Sequence, residues 1–408
     1  MHKTTYHAAL LSNFTVKGVE EKLRQQAARY GIPIQAYLGE YGQWQQEILG
    51  EELYAFKLDI IYLVVDFEDA VSQISLIDQL CFKTSAKIIV CTKVDESAAD
   101  TAVNEELVRR FKNNTQVHVF DFNRWIASLG KDAYWNTKYR ELADMRLAPH
   151  AFELFANELV AYLVPLAGKT KKCLVLDLDN TLWGGVIGED GLSGIALSPS
   201  GAGSPFYEFQ RAIKQLQESG IILAINSRNN EADVAEVFAK HRHMLLTEDD
   251  FAAARINWSN KAQNMQELAQ ELNIGLESMV FIDDDPRNRE LVASALPEMA
   301  VIDLPRDPRE YVSALRSYKG FTRFSITDED RKKAHMYADE KKRRKLKEKS
   351  IDLESFLRGL RMRINIHPIL DEHVARASQL TQKTNQFNLT TRRYQEEVLG
   401  DRHFAAFV

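Results

Sequence analysis

An apolar run that ends in two aspartates is the feature of this chain that most constrains its fold. Leu174–Leu176 leads directly into Asp177, and Asp179 follows one residue later. Such a run predicts a strand buried on both faces, as in a parallel sheet, with the carboxylates at the carboxyl edge where open α/β sheets bind ligands. Two adjacent carboxylates repel each other unless a cation or a shared proton holds them, so the pattern favours a metal together with a phosphate. The alternative for so short a pattern is a strand end followed by a turn, with an aspartate that caps a helix.

Two later segments place further polar groups at strand ends or helix starts. The apolar run 221–225 leads through Asn226 to Ser227, whose hydroxyl can donate to a phosphoryl oxygen or, alternatively, cap a helix. Lys261 stands at the start of a helical pattern that extends to Leu272. A cation opposes the helix dipole there, which predicts an anionic partner; a solvated surface lysine is the alternative.

A third segment, Met279–Ile282, is again apolar and ends in three acids. Asp285 before Pro286 fits a helix cap followed by proline at the first helical position. Asp283 and Asp284 are therefore left at the strand end. We interpret Asp283 as the third carboxylate of a Mg²⁺ site, since Mg²⁺ prefers oxygen ligands.

Together these four segments resemble the haloacid dehalogenase superfamily of phosphotransferases. The order Asp-x-Asp-x-Thr, Ser, Lys and Asp-Asp, each at a strand end or helix start, is specific as a set. The resemblance implies that Asp177 is the nucleophile and that Asp179 is the general acid and then the base for water. It also implies that Ser227 and Lys261 bind the phosphoryl oxygens and offset developing charge.

The same resemblance implies Mg²⁺ as the cofactor and a phosphorylated small molecule as the ligand. Asp177, the backbone carbonyl of Asp179 and Asp283 would hold the ion. Asp284 is also included among the predicted metal-site residues, and it would orient Lys261 or a metal-bound water.

A narrower resemblance, to the FkbH-like branch (subfamily IIIC), is carried by Asp177–Gly191, Phe281–Pro286 and Lys383–Arg393. Members are phosphatases, some of which load a glyceryl unit from 1,3-bisphosphoglycerate onto an acyl carrier protein. Others belong to surface-polysaccharide or secondary-metabolite pathways. The resemblance places substrate-binding roles on Thr181, Trp183, Gly184, Asn226, Arg228 and Asn229.

Two positions depart from the family pattern. Asn226-Ser227-Arg228-Asn229 stands where glyceryl-loading members carry Cys-Ser-Lys-Asn, and Asn288 stands where the family usually has Glu. A thiol beside the phosphate site could hold an acyl group as a thioester, whereas Asn226 cannot. The prediction is therefore a Mg²⁺-dependent phosphatase or phosphotransferase with an aspartyl-phosphate intermediate. Glyceryl transfer with a carrier-protein partner and a non-catalytic assembly protein are the alternatives.

The predicted fold class is α/β, with two Rossmann-like three-layer domains and a partial α+β C-terminal region. The predicted boundaries are 1–166, 167–318 and 319–408. In the first domain the strands are expected at His7–Leu11, Ile32–Tyr37, Leu58–Val65, Lys87–Cys91 and Val117–Phe120, with a helix at Val19–Tyr30.

The first domain resembles the SGNH-hydrolase-like domain, on Leu11–Asn13 and Asp144–His150. We expect it to be non-catalytic, because Ser12 lacks a Gly-Asp-Ser setting. The C-terminal region resembles the opening of a GNAT-type domain, preceded by a segment dense in charge, Thr327–Lys349. A solvated helix of mixed charge is the interpretation there, and a docking face for an acidic carrier protein is the alternative.

Composition narrows the function classes. The 408 residues carry a net charge of −6, which argues against general affinity for nucleic acid. No run is long enough to span a membrane, and three cysteines do not form a disulfide framework, so a cytoplasmic location is expected.

The connection after the first aspartate pair is too short to hold a large cap domain. Only Trp183–Leu197 is available as a small flap over the predicted phosphate site.

Overall fold

The first of two parallel sheets is built from the N-terminal third of the chain. In this computed structural model the structure describes residues 3–67, 70–134, 136–325, 366–368, 374 and 405–407. The strands of the first sheet are β1 (Tyr6–Ser12), β2 (Ile34–Leu38), β3 (Ile60–Val64), β4 (Lys87–Cys91) and β5 (Val117–Phe120). Its helices are α1 (Val19–Arg29), α2 (Trp44–Leu49), α3 (Glu52–Ala55), α4 (Ala70–Lys83), α5 (Ala98–Phe111), α6 (Phe122–Leu129), α7 (Lys131–Tyr134), α8 (Thr137–Ala143) and α9 (Phe152–Leu166).

The second sheet follows α9 along the chain. Its strands are β6 (Cys173–Leu176), β7 (Ile222–Ser227), β8 (Phe251–Ile256), β9 (Met279–Asp283) and β10 (Ala300–Asp303). The helices are α10 (Ile187–Gly194), α11 (Ser204–Glu218), α12 (Glu231–Lys240), α13 (Lys261–Leu272), α14 (Pro286–Ala295) and α15 (Tyr311–Ser317).

Strand order confirms the predicted α/β class. The orders are β2-β1-β3-β4-β5 and β10-β9-β6-β7-β8, and every neighbouring pair in both sheets is parallel. Parallel strands need helical crossovers, and these cover both faces of each sheet, so the middle strand of each sheet, β3 in the first and β6 in the second, is apolar throughout. β3 and β6 accordingly have no exposed residue.

The second sheet separates two apolar layers because side chains alternate along a strand. Leu174 and Leu176 pack in a cluster with residues of α11 and α12. Cys173 and Val175 pack on the opposite face with residues of α13 and α14. This alternation decides which strand-end side chains reach the site and which turn away from it.

Beyond residue 325, two short strands are described: β11 (Ile366–Pro368) and β12 (Ala405–Phe407), which pair antiparallel. The predicted charged helix 327–349 and the rest of the GNAT-like region lie outside the described residues. Among the residues that the structure describes, no helix combines the length and the apolar character needed to cross a bilayer.

Candidate active site

The candidate site lies where the connections of the second sheet change direction. From β6 the chain proceeds to β7 on one side, whereas from β9 it proceeds to β10 on the other. Such a switch point opens a crevice at the carboxyl ends of the two strands, where α/β proteins bind ligands. Asp177 directly follows β6 and Asp283 is the last residue of β9, so both aspartates flank the crevice. The strand-end placement predicted for them is found.

A buried lysine joins these two carboxylates. Lys261 Nζ lies 2.8 Å from Asp177 Oδ1 and 2.5 Å from Asp283 Oδ2, and its side chain is 1% exposed. Lys261 is the first residue of α13, as the sequence predicts, and Asn260 caps that helix by accepting from the amide of Ala262. Burial opposes the charge, but the two carboxylates outweigh it and raise the pKa of Lys261. The unfavourable position at a helix start is thus compensated by two anionic partners.

A third carboxylate, that of Asp284, adds negative charge beyond what the ammonium of Lys261 can neutralise. Oxygens of Asp177, Asp283 and Asp284 lie within 4.8 Å of one another. Burial, with Asp177 and Asp283 nearby, raises the pKa of Asp284 to about 7. Burial and Asp177 likewise raise the pKa of Asp283, in spite of Lys261. Three carboxylates with one ammonium leave an excess of negative charge, and their oxygens form the donor set that suits a divalent cation.

Asp179 is held by three donors. Its Oδ1 accepts hydrogen bonds from Trp183 Nε1 at 2.9 Å and from the amide of Ile187 at 3.1 Å. Its Oδ2 accepts from Asn229 Nδ2 at 3.0 Å. The Asn229 amide also donates to Ser227 Oγ at 3.2 Å, which links the second aspartate to the strand-end hydroxyl.

Trp183 therefore has a different place from the one that its predicted substrate-binding role implies. Its side chain has no exposed surface and packs edge-on against Phe238, 6.4 Å between ring centroids. The indole N–H thus holds the Asp179 carboxylate from within the protein. Asp179 and Trp183 are four residues apart in the sequence. That spacing could have predicted their hydrogen bond only if the conformation of the turn between them had been known.

That turn depends on unusual backbone angles. Asn180 has a φ of +51° and Gly185 a φ of +93°, and Asn180 Oδ1 accepts from the Gly185 amide at 2.8 Å. A Cβ at Gly184 would lie 2.6 Å from a ring carbon of Phe206, so a larger residue there would require the buried Phe206 ring to shift. Within the turn, the Thr181 hydroxyl is buried without a hydrogen-bond partner. Buried polar groups are normally hydrogen-bonded, so this hydroxyl is an exception within the turn.

Asn226 does not line the crevice as the sequence analysis expects. It has no exposed surface; its Nδ2 donates to the Lys261 carbonyl at 2.9 Å, and its Oδ1 accepts from Asn264 at 3.0 Å. Consecutive strand residues face opposite sides, so Asn226 lies on the α13 side with Ala224, away from Ser227. The amide is fully used in packing α13 on the sheet.

Ser227 and Arg228 lie where β7 ends, and Asn288 contacts one of the three clustered aspartates. Ser227 is 2% exposed at the end of β7, and Arg228, the next residue, is exposed. Asn288, the second departure from the family pattern, donates to Asp283 Oδ1 at 3.2 Å. The sequence analysis missed Arg289, whose guanidinium donates to the carbonyls of Asp283 and Asp284 at 2.7 and 2.8 Å.

The equivalent edge of the first sheet is closed by its own polar contacts. Ser12 Oγ donates to the Val64 carbonyl at 2.7 Å, and Asn13 exchanges two hydrogen bonds with the backbone of Asp66. The Ser12 hydroxyl is buried and tied to the neighbouring strand. These contacts agree with the expectation of a non-catalytic first domain, which stays a prediction.

No protein-family model and no curated protein matches the chain. Among solved structures, it is similar to the N-terminal part of the protein BF1531 from Bacteroides fragilis, which contains a phosphatase domain and was crystallised in complex with Mg. The two are 27% identical with a TM-score of 0.72 over 79% of this chain and 95% of that one. Tagatose-6-phosphate ketose/aldose isomerase from Escherichia coli also aligns, at 12% identity over 82% of this chain and 83% of the other, but its TM-score of 0.21 supports no inference. The first likeness shows that this chain shares its fold with a chain that contains a phosphatase domain.

Proposed function

We propose that the chain is a Mg²⁺-dependent phosphatase of the haloacid dehalogenase type, acting on a phosphorylated small molecule. The observation that carries the proposal is the contact of Lys261 with both Asp177 and Asp283 at the switch point of the sheet. The phosphatase domain in the similar Bacteroides fragilis structure, and the Mg in that complex, support it. The FkbH-like assignment belongs to the proposal as well.

The residues at the crevice fit a magnesium ion. Asp177, Asp283 and Asp284 would hold it, because they offer oxygen donors and excess negative charge at one point. When bound, the ion would neutralise the carboxylates and draw negative charge from the phosphoryl oxygens.

In the first half of the proposed reaction, a carboxylate oxygen of Asp177 attacks phosphorus. The bond from phosphorus to the leaving oxygen breaks, and protonated Asp179 gives its proton to that oxygen. Lys261 and Ser227 donate to the phosphoryl oxygens, where charge develops. Asp179 is suited to the role because Trp183 and Asn229 hold its carboxylate in one orientation.

In the second half, water attacks the phosphoryl group on Asp177. Asp179, now ionised, takes the proton from that water as the bond between phosphorus and the Asp177 oxygen breaks. Inorganic phosphate leaves and the Asp177 carboxylate is regenerated.

Phosphate release from 4-nitrophenyl phosphate tests the proposal. Wild-type protein with Mg²⁺ should release phosphate, and Asp177→Asn should not, since the amide keeps the shape but is not a nucleophile. Glu290→Gln removes an exposed carboxylate on α14 and serves as the matched control. Full activity of Asp177→Asn, or of wild-type protein in excess chelator, contradicts the proposal.

A further inference from the structure

One exposed tryptophan stands beside the candidate site. Trp258 is 71% exposed, whereas Trp44 and Trp183 are buried and Trp125 is partly buried. It lies between the end of β8 and the start of α13, three residues before Lys261. An indole left in water forgoes the stabilisation that burial of a large apolar side chain provides.

The segment that carries Trp258 is held in place by hydrogen bonds. The backbone amide of Asn257 donates to the Ser227 carbonyl at 3.1 Å. Asn257 Oδ1 accepts from Asn264 Nδ2 at 3.0 Å and from the Ser259 amide at 3.0 Å. Asn264 is 1% exposed. The exposed indole is therefore presented on an ordered loop whose other end positions the buried lysine.

An exposed arginine, Arg228, directly follows the neighbouring strand β7. β7 and β8 are paired up to Ser227 and Ile256, so Arg228 and Asn257 leave the same edge side by side. Arg228 is exposed, and the structure gives it no ion-pair partner among the described residues. The segments that carry Trp258 and Arg228 therefore leave the sheet side by side, at the edge where Asp177 follows β6 and Ser227 ends β7.

We propose that Trp258 and Arg228 recognise the leaving group of the phosphate ester. This inference rests on the proposed function and names its substrate class: esters whose leaving group has a ring that packs on the indole and a second negative charge that pairs with the guanidinium. Rigid presentation lowers the cost of ordering on binding, and an aromatic contact favours a ring over an open chain. A guanidinium favours carboxylate or phosphate by planar, paired hydrogen bonds.

Three phosphonates separate the contributions in a binding experiment that needs no turnover. Calorimetry with Mg²⁺-loaded protein compares methylphosphonate, phenylphosphonate and 4-carboxyphenylphosphonate. We expect phenylphosphonate to bind about 3- to 10-fold more tightly than methylphosphonate, and the carboxylate to add a similar factor. Trp258→Ala should remove the first difference and Arg228→Gln the second. Phe82→Ala, which removes a 91% exposed aromatic on α4, should change neither.

A kinetic comparison tells an aryl ring from a sugar ring. Trp258→Ala should lower kcat/KM for 4-nitrophenyl phosphate, for glucose 6-phosphate or for both, and leave glycerol 3-phosphate unchanged. Equal binding of the three phosphonates to wild type, or an equal loss for ring and open-chain esters in Trp258→Ala, overturns the inference while phosphate release keeps the proposed function. Absence of both phosphonate binding and phosphate release overturns the two together.

Discussion

The ammonium nitrogen of Lys261 lies 2.8 Å from Oδ1 of Asp177, and the side chains are only 1% and 10% exposed. The same ammonium contacts Asp283, so the group proposed as nucleophile and the group proposed as metal ligand share one cation. In so dry a setting, charge placed on a ligand oxygen interacts more strongly with the lysine than it would in water. Loss of Lys261 should therefore cost more activity than loss of the neutral hydroxyl of Ser227.

Lys261→Ala should cost more turnover than Ser227→Ala. A buried full charge stabilises developing phosphoryl charge more than a hydroxyl does, and loss of one such partner costs about 10²–10³-fold in kcat. Steady-state kinetics on both variants measure the order. Lys240→Ala, on the exposed surface of α12, is the control. A larger loss in Ser227→Ala would mean that the role of Lys261 is misassigned.

Trp183→Phe should lower kcat by about tenfold or more with little change in KM. The variant keeps an aromatic ring but removes the N–H that holds Asp179, and general acid–base catalysis contributes about 10²–10⁴-fold in all. The pH profile of kcat should change too, which a purely structural defect would not produce. Trp44→Phe makes the same change at a buried tryptophan of α2 and serves as the control. An unchanged kcat and pH profile in Trp183→Phe would show that the indole does not position Asp179.

The protein should lose stability as the pH falls through about 6.5, the pKa of histidine in an unfolded chain. Burial lowers the pKa of His118, Lys87 adds to this, and a backbone contact with Thr115 opposes it. The ring stacks on Phe324 at 4.7 Å, lies 6.4 Å from the Tyr162 ring, and leaves Nε2 without a partner.

Because the native pKa is depressed, the unfolded chain binds the proton first, and stability drops until the pH reaches the native value. Urea titrations at pH 7.5 and 5.5 measure the free energy of unfolding at each pH. The drop should be smaller in His118→Gln than in wild type, with His150→Gln as the exposed control. An identical drop in His118→Gln would assign the pH dependence to other groups.

The strand-end residues could be predicted because parallel strands bring their carboxyl ends to one edge. Asp177, Ser227 and Asp283 each follow an apolar run, and Lys261 starts a helix against the dipole, so local patterns sufficed. Asp285 caps α14 before Pro286 for the same local reason.

The role of Trp183 could not be predicted, because it depends on the positive φ angles at Asn180 and Gly185 that bring the indole onto Asp179. The orientation of Asn226, by contrast, could have been predicted from the alternation of side chains along β7. Two consecutive strand residues cannot both face the crevice. If Ser227 faces the ligand, Asn226 must face the opposite side of the sheet, where α13 packs. Its partner Asn264 is 38 residues away, and no local pattern connects the two.

The protein should not accumulate a glyceryl thioester on itself. Asn226 supplies no thiol, and burial raises the pKa of both Cys91 and Cys173, which keeps them as unreactive thiols. Burial also raises the pKa of Cys81, which is partly exposed. Intact-protein mass spectrometry after incubation with 1,3-bisphosphoglycerate and Mg²⁺ measures the outcome, with an acyl carrier protein added in a second tube.

Phosphate release with neither protein modified is the expected result, and it would direct the search for substrates to sugar and other metabolite phosphates. A hydroxylamine-labile adduct on the enzyme would contradict the prediction, because no described thiol is both exposed and activated. Glyceryl on the carrier protein alone would point to direct transfer from the crevice, with Asn226 serving only to pack α13 against the strand that ends in Ser227.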